Sequence, residues 1–194
     1  MITIVSGVPR SGTSLMMQML TAGGLTPLVD GQRAADASNP RGYFEWEKAK
    51  SLAREPDCIA EAEGKVVKII SSLLLSLPNT FAYRVIFVER PLGEVVASQS
   101  AMIQKLGTQA PALAPEGMER ALEAHLKQVK ASLRLRPEMS VCWTGYHDTL
   151  RDPQRVCNTT QQFLGIPLNV PAMTAQVDLS LYRQRGRTVS APGF

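Results

Sequence analysis

Cysteine is scarce in this chain of 194 residues. The three cysteines, Cys58, Cys142 and Cys157, lie far apart, are odd in number and form no CxxC pair. That pattern excludes a disulfide framework and a Cys-rich zinc site, and predicts reduced thiols packed in the core. Long apolar runs are missing too. The most apolar internal stretch, VVKIISSLLLSLP, contains Lys68 and ends at Pro78, too short and too polar to span a bilayer. The N-terminal MITIVSGVPR has no basic n-region and passes straight into a strand pattern, so no signal peptide and a cytoplasmic location are expected. Charge of one sign is not concentrated. Lys and Arg number 21 against 17 Asp and Glu, a net charge of +4 with no dense basic run and no aromatic-basic platform, which argues against a nucleic-acid partner. No internal repeat and no low-complexity tract is visible, and the length fits a single domain over residues 1–194.

What is there reads as strand, turn and helix in alternation. Ile2 to Ser6 is a β-branched run that fits a buried parallel strand. A helix is predicted from Thr13, with Leu15, Met16, Met19 and Leu20, to a stop at Gly23-Gly24. Thr26 to Asn39 is loop-like, and a helix is expected from Trp46 to Ala53, before Pro56. Strands are predicted at Lys65 to Ile70, Arg84 to Glu89 and Met139 to Thr144, with one or two helical turns at Ser71 to Leu77. Pro91 suits the first turn of a helix running to Leu106, and Gly107 to Pro115 reads as a loop. Met118, Leu122, Leu126, Val129 and Leu133 step by four, four, three and four, which marks Glu116 to Arg136 as an amphipathic helix. Asp152-Pro153 is a cap and first-turn pair for a last helix ending at Gly165. The fold class that follows is α/β: a three-layer, P-loop-like fold with a mainly parallel sheet of four to five strands and helices on both faces. Ligands in such folds sit beyond the carboxyl ends of the strands.

Two motifs lie at such ends. After the first strand comes GVPRSGTS, with Gly7 and Gly12 framing the outline of a phosphate loop. Lysine is absent from position 13, where a nucleotide triphosphatase would carry it to reach β- and γ-phosphates; Thr13 stands there, and Arg10 is the nearest cation. The N–H groups of Ser11 to Ser14, the helix dipole, the Thr13 and Ser14 hydroxyls and the Arg10 fork form a donor set for an anion anchored by a 5′-phosphate. The bland alternative is a glycine turn with a Ser/Thr cap. After the third strand, Arg90 emerges at the carboxyl end and Ser98 follows about two helical turns later. Paired with the loop, they suggest a second phosphate subsite; taken singly, each reads as a surface charge and a helix-face hydroxyl.

These residues resemble the sulfotransferase family that uses 3′-phosphoadenosine 5′-phosphosulfate. In that family a PRSGTS-type loop holds the 5′-phosphosulfate, and an Arg with a Ser eight positions on holds the 3′-phosphate. SNPRGYFE (Ser38 to Glu45) and GYHDTLRDPQRV…FLGIP (Gly145 to Pro167) are similar to further family segments. Pro91 follows Arg90 at once where the family inserts a residue, His147 stands where Glu is common, YRQRGR (Tyr182 to Arg187) only faintly matches the closing Arg-Lys-Gly motif, and the chain is short for the family. The resemblance implies transfer of a sulfuryl group from 3′-phosphoadenosine 5′-phosphosulfate to a hydroxyl or amine acceptor, without a metal. The implied cofactor residues are Pro9, Arg10, Ser11, Gly12, Thr13, Ser14, Arg90, Ser98 and Tyr146. The implied catalytic residues are Arg10 for charge, Glu45 as general base with Glu47 an equal candidate on charge, and Lys68, whose alternative is a stem packed at a strand end with a snorkelling head. Tyr146 either contacts adenine or packs in the core, Arg183, Arg185 and Arg187 read first as a solvated basic tail, and His125 as a surface or partly packed residue. A kinase-type phosphotransferase and a nucleotide-binding protein without chemistry are the competing functions. The acceptor, a small molecule, carbohydrate or lipid, and the oligomeric state, a homo-oligomer included, are left open by the sequence.

Overall fold

The computed structural model describes residues 1–32, 36, 39, 41–106 and 113–182, with the Leu106 side chain set aside. Parts of the loops at Thr26 to Asn39 and Gly107 to Pro115, two residues of SNPRGYFE, and Arg183, Arg185 and Arg187 lie outside the described residues. In chain order come β1 (Ile2–Ser6), α1 (Thr13–Ala22), β2 (Val66–Lys68), β3 (Tyr83–Glu89), α2 (Leu92–Leu106), α3 (Pro115–Leu133), β4 (Met139–Gly145), α4 (Tyr146–Arg151), α5 (Pro153–Leu164) and α6 (Val170–Thr174). Short 3-10 segments span Glu47–Ser51, Pro56–Ala62, Ser71–Ser76 and Leu179–Leu181.

The four strands form one sheet in the order β2-β1-β3-β4, all parallel, the α/β architecture expected from the alternating pattern. β1 and β3 are neighbours, with Ser6 beside Phe87, so their carboxyl ends emerge side by side. The central strands β1 and β3 are buried on both faces, which is why their residues are mostly apolar instead of alternating with polar ones. The period of two still sorts them. Ile2, Ile4, Val67, Ile69, Val85 and Phe87 face a core shared with α3 and the 3-10 segments. Val5, Val66, Ile86 and Val88 face the other core, filled by Met16, Met19 and Leu20 of α1, Val156 and Leu164 of α5 and Met173 of α6.

The differences from expectation are local. Trp46 to Ala53 is not an α-helix but a 3-10 turn over Glu47–Ser51, and a second 3-10 turn occupies Pro56–Ala62. Only Val66–Lys68 of the predicted second strand pairs with β1, because the chain turns into the Ser71–Ser76 segment just beyond. Pro91 precedes α2 and offers its carbonyl to the Glu94 and Val95 N–H groups. The amphipathic stripe of α3 is fully buried only at Val129 and Leu133. Cys157 is buried, but Cys58 and Cys142 are partly exposed, so only one of the three thiols sits deep in the core. No helix among the described residues is long and apolar enough to cross a membrane.

The Asp152 side chain accepts the Arg155 N–H at 3.0 Å and so caps α5, which ends on Gly165 in the left-handed conformation, φ 66°. Asp152→Ala should lower the unfolding free energy by about 1 kcal/mol, while Asp152→Asn should keep most of it. Urea denaturation of the two variants checks this.

Candidate functional site at the carboxyl ends of β1, β2 and β3

The loop between β1 and α1 is held by close backbone approach. Gly7, at φ 153°, sits so near β3 that an added Cβ would lie 2.6 Å from the Val88 carbonyl oxygen and 2.4 Å from Ser11 Oγ. Its own carbonyl accepts from the Ser71 N–H at 3.0 Å. Arg10 takes a left-handed φ of 75°, uncommon for a residue with a side chain. That turn sends its guanidinium toward α2, where Nε donates to Ser98 Oγ at 3.0 Å. Gln99 Nε2 donates to the Pro9 carbonyl at 3.0 Å, pinning the same loop from the same helix. Gly12, at φ 105°, lies against the Tyr146 ring, where a Cβ would be 2.4 Å from Cδ2.

One expectation about the loop is corrected. The Ser11 N–H does not point outward as an anion donor: it donates to the Val8 carbonyl at 3.1 Å, and the side chain is fully buried with its hydroxyl unpartnered. Ser11 closes the turn from beneath. The outward-facing donors are therefore those of Gly12, Thr13 and Ser14, in the first turn of α1, where a helix leaves its N–H groups without intrahelical acceptors. The helix dipole adds to them.

A cavity of about 460 Å³ opens over this loop. Pro9, Arg10, Gly12, Thr13, Ser14, Glu45, Lys68, Arg90, Ser98 and Tyr146 all line it, so of the residues singled out for cofactor or chemistry only Ser11 stays below its floor. Lys68, at the end of β2 and only 8% exposed, donates to the Tyr43 carbonyl and lies 3.7 Å from Glu45 Oε1. Ser14 Oγ reaches the same Tyr43 carbonyl at 3.5 Å. Phe44, next in the chain, has a left-handed φ of 53°, and this bend turns the Tyr43 carbonyl and the Glu45 side chain together toward β2. Glu47, the alternative base, is engaged by Lys50 at 2.6 Å. Apolar side chains share the lining with these groups: Trp46, Ile70, Leu73 and, one turn beyond Ser98, Met102.

Arg90 is anchored differently from a bare surface cation. Its Nε donates to Glu94 Oε2 at 2.8 Å and its Nη1 to the Arg10 carbonyl at 3.3 Å, and its guanidinium stands 4.6 Å from the Tyr146 ring centroid. Burial pushes the Tyr146 phenol above its ordinary range, with the Arg90 cation pulling the other way. Among the described residues no group of three or more His, Cys, Asp and Glu is arranged to hold a metal.

No protein-family model matches the chain, and no curated protein sequence does. Solved structures do match in shape. Retinol dehydratase, solved with androsterone and the inactive cofactor PAP, superposes with a TM-score of 0.55 at 16% identity, over 93% of this chain and 65% of its own. The sulfotransferase domain of the Synechococcus PCC 7002 olefin synthase gives 0.54 at 16%, over 91% and 77%, and a sulfotransferase from Alicyclobacillus acidocaldarius 0.52 at 12%, over 93% and 95%. The chain has the sulfotransferase fold. It spans about two thirds of the length of retinol dehydratase, at 65%.

Within the sulfotransferase fold, several residues that build this site stand apart from the motifs. Tyr43 was quoted only as part of GYFE, yet its carbonyl receives both Lys68 and Ser14. Glu94, behind Arg90 and outside the cavity lining, has no motif of its own; it sits four residues after Arg90 in the first turn of α2, an i,i+4 spacing that signals an ion pair, and Tyr182, the first residue of YRQRGR, bonds to it. His125, read as a surface or partly packed residue, meets Ser71 Oγ at 2.8 Å, away from this cavity.

The tight seat of Gly7 gives a contrast in stability. Gly7→Ala should destabilise the chain by about 2 kcal/mol or more, since a backbone carbonyl cannot yield. Ser11→Ala, which removes only an unpartnered buried hydroxyl, should be neutral or stabilising. Thermal and urea unfolding of both variants checks the pair.

Proposed function

We propose that the protein is a sulfotransferase that takes its sulfuryl group from 3′-phosphoadenosine 5′-phosphosulfate and passes it to a hydroxyl or amine of a small-molecule acceptor. The observation that carries this reading is the meeting of both anion motifs in one cavity: Arg10 of the loop on Ser98 of α2, with Arg90 against the Arg10 carbonyl. The residues present fit such a donor. The first-turn N–H groups of α1, the Thr13 and Ser14 hydroxyls and the Arg10 guanidinium surround one anion position, and Arg90 with Ser98 provides a second. The absence of Lys at position 13 fits a 5′-phosphate anchor better than a magnesium triphosphate.

The donor, when bound, supplies an activated sulfuryl group on its 5′-phosphate. The chain's own part is positioning and charge. Arg10 offers a fixed guanidinium fork that steadies negative charge. Lys68, held nearly buried at the end of β2, offers a second cation at the same floor. Glu45, bent toward the cavity by the Phe44 turn, accepts the proton of the acceptor hydroxyl. Trp46, Ile70, Leu73 and Met102 form an apolar wall for the acceptor body. The complex of androsterone and PAP in retinol dehydratase, of the same fold, supports a small molecule beside the nucleotide.

Calorimetry with 3′,5′-adenosine bisphosphate and with ATP, each with and without magnesium, tests the assignment. Tight, magnesium-independent binding of the bisphosphate is expected, and binding of magnesium-ATP alone would exclude this function. Glu45→Gln and Lys68→Met should lower turnover by about 100-fold or more while bisphosphate affinity changes little. Turnover by Glu45→Gln at the wild-type rate would assign the base elsewhere.

A further inference from the structure

Arg90 is held from several sides, and one carboxylate ties the arrangement together. Glu94, with a side chain 3% exposed, accepts Arg90 Nε on Oε2 at 2.8 Å. Its Oε1 accepts the Tyr182 hydroxyl at 2.8 Å and lies 3.0 Å from His147 Nε2, and that hydroxyl is itself 3.1 Å from the same ring nitrogen. The Tyr182 ring also lies 5.6 Å from the Arg90 guanidinium, and it packs edge-on against the Tyr146 ring, with centroids 5.9 Å apart. Three separate segments thus converge on Glu94: the residue after β3, the start of α4 and the residue after the Leu179–Leu181 turn. None of the anion motifs includes it.

A guanidinium is a rigid planar fork, so fixing its Nε edge fixes where the other N–H groups aim. A buried carboxylate is tolerable only with all its partners in place, and the first turn of a helix favours its charge. We propose that Glu94 is the positioning residue of Arg90, setting the guanidinium's orientation toward the 3′-phosphate, and that Tyr182 and His147 hold the Glu94 carboxylate in that role. This rests on the reading of Arg90 as the 3′-phosphate partner. A purely structural ion pair makes a different forecast: lost stability with unchanged ligand discrimination. A carboxylate acting only by charge makes a third, since its removal would strengthen anion binding.

The readout is the preference for 3′,5′-adenosine bisphosphate over adenosine 5′-phosphate, measured by calorimetry on the full chain. Glu94→Ala should reduce that preference about tenfold, and Glu94→Gln, whose amide oxygen still accepts from Nε, should recover most of it. Tyr182→Phe keeps the ring over Arg90 but removes the donor to Glu94, and should reduce the preference about threefold. A preference unchanged or raised in Glu94→Ala and in Tyr182→Phe overturns the inference; where Glu94→Ala does not fold, Tyr182→Phe decides alone. A wild-type chain with no preference, or an Arg90→Ala variant that keeps it, overturns the 3′-phosphate reading beneath. Loss of the preference in Arg90→Ala but not in the Glu94 and Tyr182 variants overturns only the role of Glu94.

Discussion

The contact between Arg10 Nε and Ser98 Oγ joins the loop after β1 to the helix after β3. The cavity's geometry depends on it and on what makes it possible, the parallel pairing of those two strands. Because β1 and β3 lie side by side, everything leaving their carboxyl ends shares one edge of the sheet. The left-handed turn at Arg10 then directs the guanidinium across the gap instead of out to solvent. Gln99 on Pro9 and Arg90 on the Arg10 carbonyl repeat the same crossing. Two motifs that read as separate anion sites are in this way parts of one rigid floor.

Phosphate-loop outlines are easily over-read, and the loop here shows why each residue needs its own accounting. Ser11 has the right residue type and position, yet its N–H and its buried side chain serve loop closure. Thr13 and Ser14, on the first turn of α1, face the cavity. The distinction comes from the tight turn at Val8 to Ser11, which Gly7 permits by passing within contact distance of the Val88 carbonyl.

Much of the fold was legible because local signals and burial agreed. The β-branched runs of β1 and β3, the glycines closing α1, the Asp152 cap and Gly165 each mark their element with a local cause. The Glu47–Ser51 turn was misread as an α-helix since Trp46, Ala49 and Leu52 at steps of three satisfy both kinds of helix, and only packing on the sheet decides. Of the site, the charged and hydroxylic side chains at strand ends were readable, because strand ends in parallel sheets are where ligands gather. The Tyr43 carbonyl, the Phe44 bend and the convergence on Glu94 were not. Backbone acceptors have no signature in residue type, and Tyr182 reaches Glu94 across 88 residues of chain.

That long reach has a consequence for how the protein comes to hold a ligand at all. Arg10 and Ser98 are separated by 88 residues, and no shorter stretch of chain contains both. An all-parallel sheet of order β2-β1-β3-β4 is built from such distant pairings, which places it among slow-folding topologies. The anion floor exists only once β3 has docked on β1, so an unfolded or half-folded chain has no counterpart of it. A ligand that seats there stabilises the whole chain by mass action, so its occupancy becomes a reporter of global folding.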